Sequence, residues 1–194
     1  MHPELTQQEH QIHSTVVIFG SARIPEAKTA KAKLEKAENA LQSHPSDSQL
    51  QRQVTIAGHI VEKSRYYDEA RKLGKIITQE AKKLKESLVV VTGGGPGIME
   101  AANRGASDAC GKSIGLNIVL PAEQLPNKYI TPELCFQFHY FAIRKMHFLM
   151  RAVALVAFPG GFGTLDELFE TLTLIQTKKV RPVPVILFGK EYWD

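Results

Sequence analysis

The segment FPGGFGTLDE, residues 158–167, combines a glycine-rich turn with two acidic residues. A glycine turn ahead of a helix exposes backbone N–H groups that gather an anion. We predict that Pro159–Gly163 forms the turn and that Thr164 caps the helix, which places Glu167 in the first helical turn. Glu167 could then close a capping box with Thr164. Alternatively, it could face the uncharged part of a ligand whose phosphate the turn holds, meeting sugar hydroxyls or a water.

A second glycine-rich loop, GGGPG at residues 93–97, joins an apolar run to a predicted helix that begins near Ile98. Such a loop can cradle a phosphate, or it can need glycine only for a tight strand-to-helix turn. It does not match the dinucleotide fingerprint, because Ile98 stands where the third glycine belongs. GKS at 111–113 comes between a helix and a strand in the reverse of the P-loop order, so we interpret Lys112 as a solvated residue.

The segment FAIRKMHFLMR, residues 141–151, supplies cations just before the strand that leads to the PGGFG turn. At helical spacing Arg144, His147 and Arg151 share one face. An Arg–Lys pair on a helix is usually solvated, but this helix can lean over the crevice at the strand ends. Arg144 and Lys145 are therefore candidates for holding an anionic substrate.

Apolar runs of the kind found in buried parallel strands must position these loops. Five runs are nearly continuous in Val, Ile, Leu and Phe, and a sixth, ELCFQFHYF at 133–141, alternates polar and apolar residues. Strands alternate with helices, which predicts an α/β fold: a doubly wound, mostly parallel, Rossmann-like sheet with helices on both faces. Such sheets bind ligands at the carboxyl ends of their strands. The five continuous runs are 15–20, 88–93, 113–120, 154–160 and 183–189.

The length of 194 residues, 43% of them hydrophobic, suits one nucleotide-binding α/β domain over residues 1–194. We predict a helical insertion over about 25–64, with a turn at 40–48 between its two helices. The chain stops at KEYWD, just after the last predicted strand. Either that strand lies at a sheet edge without its covering helix, or the C-terminal helices are missing by truncation.

Composition disfavours several other classes of protein. The net charge of +4 comes from residues 25–86, which carry thirteen Lys/Arg against nine Asp/Glu. Mixed charges at helical spacing are typical of solvated helix faces. No aromatic or Gly–Arg pattern accompanies the lysines, which disfavours nucleic-acid binding. No apolar stretch reaches the length of a membrane span, and the polar N-terminus does not read as a signal peptide. Cys110 and Cys135 stand far apart, which favours free thiols and a cytoplasmic location. No His/Cys/Asp cluster has metal-ligand spacing.

Together these segments resemble the LOG family, once widely labelled lysine decarboxylase-like. The resemblance rests on GGGPGIME at 93–100, on the Arg–Lys pair at 144–145 and on PGGFGTLDE at 159–167, which matches the family's PGGxGTxxE. It covers most of the chain from Val16 to Phe188. The helical insertion is longer than in compact family members, and the C-terminal helices of longer members are not present.

The resemblance implies a nucleoside 5′-monophosphate phosphoribohydrolase. This is an N-glycosidase, working without cofactor or metal, that splits AMP or an N6-modified AMP of the cytokinin type into free base and ribose 5-phosphate. It implies Arg144 and Glu167 as the catalytic pair and a homodimer or larger assembly. The residues it implies for nucleotide contact are Gly20, Ser21, Gly94, Gly95, Met99, Lys145, Gly160, Gly161, Gly163 and Thr164.

The chemistry expected of this pair follows from charge. Breaking a glycosidic bond builds positive charge on the sugar ring, so Glu167 would stabilise that charge and orient or deprotonate the attacking water. Arg144 would steady the phosphate or the departing base. One alternative is a non-catalytic nucleotide- or molybdenum-cofactor-binding or sensor protein on the same scaffold, which would not require Glu167. The other, a lysine decarboxylase, would need a Schiff-base lysine for pyridoxal phosphate, and no lysine has a motif for that role.

Overall fold

Six parallel strands form one sheet in a computed structural model of the protein, which describes residues 2–119 and 125–194. Their order across the sheet is β4-β3-β2-β1-β5-β6. The sheet and its surrounding helices confirm the predicted Rossmann-like α/β fold. The strands are β1 (Ser14–Phe19), β2 (Leu88–Thr92), β3 (Ser113–Ile118), β4 (Cys135–Phe138), β5 (Ala152–Ala157) and β6 (Val185–Leu187).

Eight α-helices occupy the connections within the described residues, together with a short 3₁₀ helix at Pro132–Leu134. None of these helices is long and apolar enough to cross a membrane. The helices are α1 (His2–Glu9), α2 (Ala27–Ser43), α3 (Ser48–Lys63), α4 (Arg65–Leu84), α5 (Ile98–Asp108), α6 (Phe141–Leu149), α7 (Phe162–Gln176) and α8 (Lys190–Trp193).

The apolar strands are buried on both faces because helices cover both sides of the sheet. On one face Val17 belongs to a cluster that includes Phe148 of α6 and Leu168 of α7. On the other face Ile18, the next residue of β1, packs in a cluster with Tyr67 of α4. Alternate side chains of one strand thus enter two separate cores, which is why the run reads as continuously apolar in the sequence.

The strand order creates a crevice between β1 and β5. From β1 the chain continues to β2, β3 and β4 on one side, and then returns to place β5 and β6 on the other side. At such a switch point the loops that leave the two central strands diverge and leave room for a ligand. The Ser21 N–H donates to the Pro159 carbonyl over 3.1 Å, which ties the loop after β1 to the loop after β5.

The predicted helical insertion corresponds to α2 and α3. Its turn lies within the predicted segment, since Asp47 caps α3 by accepting hydrogen bonds from the N–H groups of Gln49 and Leu50. Where the chain enters α2, the Glu26 carboxylate accepts a 2.7 Å hydrogen bond from Arg104 of α5. The start of the insertion is therefore held by a residue of the main fold.

Two predicted runs and the C-terminal segment KEYWD need comment against the structure. The start of the sixth run lies in the 3₁₀ helix, and Tyr140 near its end is 71% exposed because it is the N-cap of α6. The run at 113–120 ends in Leu120, which lies outside the described residues. KEYWD forms the short helix α8, and β6 lies at the edge of the sheet.

Candidate functional site

A cavity of about 660 Å³ lies at the carboxyl ends of the strands, where the fold predicts a ligand site. Its walls come from the loops after β1, β2 and β5 and from the first turns of α6 and α7. This volume lies in the range of small-molecule sites. Arg144 and Glu167 both line it, so the two residues implied as a catalytic pair share one cavity.

The two side chains form an ion pair within the cavity wall. Arg144 Nη1 donates to Glu167 Oε1 over 2.9 Å, and the side chains are only 8% and 15% exposed. Arg144 also donates from Nε to the Leu116 carbonyl at the end of β3, over 2.7 Å. Its guanidinium carbon lies 5.0 Å from the centre of the Phe148 ring. These contacts fix the guanidinium on three sides, so its position against Glu167 is preorganised.

Gly93 makes room for this guanidinium. A Cβ atom at position 93 would lie 2.6 Å from Arg144 Nη2 and 2.8 Å from Met99 Sδ, closer than side-chain atoms approach one another. The first glycine of the GGGPG loop is therefore required by the packing of the Arg144 side chain.

Burial governs the ionisation of the pair. Removal from water raises the pKa of Glu167 from an ordinary 4.5 to about 7, against the opposing effect of the Arg144 charge. Burial likewise lowers the pKa of Arg144, which the Glu167 carboxylate partly offsets. A guanidinium nevertheless stays charged at neutral pH. Near pH 7 the site thus holds a permanent cation beside a carboxyl group that can accept or release a proton.

The N-terminus of α7 opens onto the cavity. Gly161 is the N-cap and Phe162 the first helical residue, and residues 161–163 are all exposed. The first amides of a helix have no acceptor within it and carry partial positive charge. Behind the loop, the Tyr192 hydroxyl of α8 donates a hydrogen bond to the Gly160 carbonyl. This end of α7 therefore offers uncommitted N–H groups from a braced loop.

The N-terminus of α5 is more closed. Gly97, its N-cap, has φ +71°, and a Cβ atom there would lie 2.4 Å from the Ser21 carbonyl oxygen, so only glycine fits. The Ile98 N–H already donates to that Ser21 carbonyl. Asn127 donates from its side chain to the carbonyls of Gly94 and Gly95. The GGGPG loop is thus tied to its neighbours more than it is open to a ligand.

Part of the chain matches the sequence model of a known protein family. Residues 99–194 match the family model described as "Possible lysine decarboxylase", a segment that includes Arg144 and the PGGFGTLDE motif. The match covers just under half of the chain and supports its resemblance to the LOG family. No curated protein sequence matches this chain significantly.

Several solved structures share the fold of this chain at low sequence identity. The structural-genomics target TM1055 is 21% identical, with a TM-score of 0.52, and the alignment covers 83% of this chain and 69% of that one. The molybdenum cofactor binding protein of the phototrophic bacterium Rippkaea orientalis is 20% identical, with a TM-score of 0.53 and coverages of 93% and 80%. The Moco carrier protein of Chlamydomonas reinhardtii is also 20% identical, with a TM-score of 0.50 and coverages of 91% and 76%.

Eight of the twelve residues implied by the family resemblance line the cavity. Gly160 does not; its carbonyl accepts the hydrogen bond from Tyr192 behind the loop. Lys145 does not either: its Nζ lies 2.7 Å from Asp166 and 2.8 Å from Glu170. Gly94 and Gly95 lie in the closed loop behind the wall. The eight residues are Gly20, Ser21, Met99, Arg144, Gly161, Gly163, Thr164 and Glu167.

The predicted cap of α7 is wrong. The helix begins at Phe162, so Gly161 is the N-cap and Thr164 is the third helical residue. Glu167 therefore lies in the second turn, too far along for a capping box with Thr164. The helix begins three residues earlier than predicted, because Gly161 with its extended backbone takes the N-cap position. The preference for a hydroxyl side chain at the N-cap does not identify the start of a helix that glycine caps.

The shared helix face predicted for three cations also differs in the structure. Only Arg144 reaches the cavity, because α6 ends at Leu149 and Arg151 follows it. Arg151 donates to Glu4 of α1 over 2.8 Å, and His147 Nδ1 lies 3.7 Å from the same carboxylate. These two side chains hold α1 against the sheet. Burial lowers the pKa of His147, which the Glu4 charge partly offsets.

Sequence reasoning left out several residues that line the cavity. Arg23 belongs to the loop after β1 (GSARIP, residues 20–25) and lines the cavity. The position of this loop directly after an apolar run could have indicated a ligand site. Asn117 is a polar residue near the end of an otherwise apolar strand, which was also a signal. Phe141 and Phe162 line the cavity while 51% and 91% exposed, and nothing in their spacing marked them. Among residues 2–119 and 125–194, no cluster of three His, Cys, Asp or Glu side chains could hold a metal ion.

Proposed function

We propose that this protein is a nucleoside 5′-monophosphate phosphoribohydrolase, which hydrolyses the N-glycosidic bond of AMP or of an N6-modified AMP. The observation that carries the proposal is the Glu167 carboxyl group, held by Arg144 in the cavity wall beside an open helix N-terminus. A glycosidase needs such a carboxylate near the anomeric carbon. In addition, the pKa of about 7 lets Glu167 act as a base near neutral pH.

The phosphate of the substrate would bind at the start of α7. Exposed Gly161 and Gly163 allow an anion to approach the backbone N–H groups closely. Arg23 lines the same cavity from the loop after β1 and adds a positive charge. Anchoring the charged end of the nucleotide here leaves the ribose and base to occupy the rest of the cavity.

The base would meet the apolar rim. Phe141 begins α6 and exposes aromatic surface at the cavity. Flat purine rings stack favourably on such surfaces. An N6 substituent would extend from this rim, which is compatible with both plain and N6-modified adenine.

Hydrolysis then proceeds with Glu167 as the base. A water attacks C1′ of the ribose and gives its proton to the ionised Glu167 carboxylate, while the bond from C1′ to the base nitrogen breaks. The bonding electrons leave with the base, which takes up a proton, and ribose 5-phosphate remains. Positive charge that develops on the ribose is stabilised by the same carboxylate. Arg144 keeps that carboxylate oriented and favours its ionised form.

The direct test is release of adenine from AMP, measured by chromatography. We expect the wild-type protein to release it and Glu167→Gln to release none while still binding AMP. Glu170→Gln is the matched control, because Glu170 lies one turn further along α7, pairs with Lys145 and does not line the cavity. Full turnover by Glu167→Gln would exclude this assignment.

A second candidate function is supported by the fold comparisons. Two solved structures with this fold are described as a molybdenum cofactor binding protein and a Moco carrier protein. If this chain were a non-catalytic binding protein of that kind, wild-type protein would bind AMP or the cofactor without releasing adenine. Mass spectrometry of molybdenum in protein loaded with the cofactor distinguishes this function from hydrolysis.

The decarboxylase description of the family receives less support from the site. Among residues 2–119 and 125–194 no lysine lines the cavity, and neither residue 1 nor residues 120–124 are lysine. Lys145, the nearest by sequence to Arg144, is bound to two carboxylates. A Schiff base with pyridoxal phosphate therefore has no candidate lysine in the cavity, and reconstitution with that cofactor should give no Schiff-base absorbance.

We also propose that the protein forms a homodimer or larger assembly and acts in the cytoplasm. Ile143 and Met146 of α6 and Met150, its C-cap, follow one another at helical spacing and are each about half exposed, at 47%, 54% and 50%. Phe169 of α7 is 60% exposed. A second copy would cover these apolar side chains, so Met146→Glu should reduce the mass measured by light scattering. Cys110 and Cys135 are free thiols, which suits a reducing compartment.

A further inference from the structure

Asn117 lies near the end of β3, beside the cavity, and has a buried amide nitrogen without a hydrogen-bond partner among the described residues. The residue is only 5% exposed, yet it lines the cavity. Its Oδ1 accepts the Ile118 N–H over 3.2 Å, which leaves Nδ2 as the unpaired group of the side chain. Within residues 2–119 and 125–194, Nδ2 has no hydrogen-bond partner.

Such a group requires an explanation. Nearly all buried side-chain donors have a hydrogen-bond partner, because a donor removed from water without one destabilises the fold. The four neighbouring positions of β3 carry Ile114, Gly115, Leu116 and Ile118, so packing alone would be satisfied by an apolar residue here. A donor kept in an apolar strand at the edge of a cavity is therefore matched to an acceptor that enters the cavity.

The surroundings of Asn117 place that acceptor near the reacting bond. The Leu116 carbonyl, one residue before it, holds Arg144, and Arg144 holds Glu167. The Asn117 Cβ also lies against Gly94, 3.7 Å from the position that a Cβ atom would take there. Asn117 is thus anchored between the closed GGGPG loop and the ion pair.

Sheet geometry separates Asn117 from the phosphate site. Adjacent strands lie about 4.8 Å apart, so β3 is about 10 Å from β1 and about 14 Å from β5. The open N–H groups of α7 follow β5. A nucleotide whose phosphate binds there would bring its ribose or base, and not its phosphate, to the end of β3.

We propose that Asn117 is a substrate-positioning residue, whose Nδ2 donates a hydrogen bond to an acceptor on the ribose or the base of the bound nucleotide. This inference rests on the proposed hydrolase function. The acceptor is either a ribose hydroxyl or a ring nitrogen of the purine. Each has a lone pair that can accept a hydrogen bond from an amide NH₂ group. Substrate analogues that lack one acceptor or the other distinguish the two.

The test compares Asn117→Leu, which removes the amide but keeps a similar volume, with Gln137→Leu. Gln137 is the register partner of Asn117 on β4, is exposed and does not line the cavity, so it controls for loss of an amide in the same part of the sheet. We expect Asn117→Leu to lower kcat/KM for AMP by about tenfold or more, the loss typical of one hydrogen bond to a buried donor. Gln137→Leu should stay within twofold of wild type, and both variants should keep their melting temperature.

Substrate analogues show what the amide touches. With 2′-deoxy-AMP the effect of Asn117→Leu should disappear if the acceptor is the 2′-hydroxyl; with 3-deaza- or 7-deaza-AMP it should disappear if the acceptor is that ring nitrogen. A merely structural role would reduce activity by the same factor on every analogue. Equal reduction on all of them, or wild-type kcat/KM for Asn117→Leu, overturns the proposal.

Failure of this inference is distinguishable from failure of the proposed function. If wild-type protein releases adenine and the Asn117 variant is unaffected, the hydrolase stands and the positioning role is refuted. If wild-type protein binds AMP without turnover, the same comparison is made on the dissociation constant by calorimetry. Absence of both binding and turnover in wild type overturns the function and this inference together.

Discussion

Replacing Glu167 by glutamine should stabilise the folded protein while it removes activity. Burial raises the pKa of Glu167 from 4.5 to about 7, so the folded state prefers the neutral carboxyl group. Stability associated with this group is fully present below pH 4.5 and is lost as the pH rises to 7. A glutamine resembles the neutral acid at every pH, and its oxygen can still accept the hydrogen bond from Arg144.

The magnitude follows from the two pKa values. A rise from 4.5 to about 7 makes the ionised group cost the folded state about 3 kcal/mol at pH 8, and about 1 kcal/mol at pH 5, where the unfolded group is only partly ionised. Glu167→Gln should therefore increase the free energy of unfolding by those amounts relative to wild type. Acidic residues that serve in a reaction are often held in such unfavourable surroundings.

The assay is urea unfolding of wild type and variant at pH 5 and pH 8. Glu170→Gln again provides the control: it removes an acid from the same helix but breaks the ion pair with Lys145, so it should lower stability slightly, within about 1 kcal/mol. If Glu167→Gln lowered stability at both pH values, the attraction to Arg144 would outweigh the cost of burial, and the argument for a base with a raised pKa would be refuted.

Three other predictions test the site. Because turnover needs ionised Glu167, with a pKa of about 7, kcat/KM for AMP should fall about tenfold per pH unit below pH 6, and a flat profile between pH 5 and 7 would contradict this. Gly93→Ala places a methyl group 2.6 Å from Arg144 Nη2 and should lower kcat/KM by about 100-fold; Gly58→Ala, whose added Cβ meets nothing within 4 Å, should keep full activity. Lys145→Met should change the KM for AMP less than twofold, since Lys145 does not line the cavity and is paired with Asp166 and Glu170; a large rise in KM would show that Lys145 moves to the substrate.

The sheet could be predicted from the sequence because strands buried on both faces must be continuously apolar. Val17 and Ile18 show this directly, since they enter two different cores. The pairing of Arg144 with Glu167 was less accessible, because it depends on how α6 crosses the end of β3 and on the Leu116 carbonyl that holds the guanidinium. Only the family motif brought the two residues together before the structure did.

Side-chain direction was the part that spacing could not supply. Arg144 and Lys145 are adjacent, yet successive residues of a helix point about 100° apart, so one enters the cavity and the other turns to Asp166 and Glu170. The cap of α7 failed for a related reason. N-cap preferences rank residues by the hydrogen bonds of their side chains, whereas α7 begins after Gly161, which has no side chain.

The two glycine loops, which look alike in the sequence, have different roles in the structure. The PGGFG loop leaves the first amides of α7 open, and its exposed glycines suit a ligand. In the GGGPG loop, by contrast, Asn127 and the Ser21 carbonyl occupy the polar backbone groups, and Gly93 gives its space to Arg144. The first loop is therefore suited to bind the anion. The second positions the cation that orients Glu167, so loss of its glycines should impair catalysis through Arg144 and leave phosphate affinity largely unchanged.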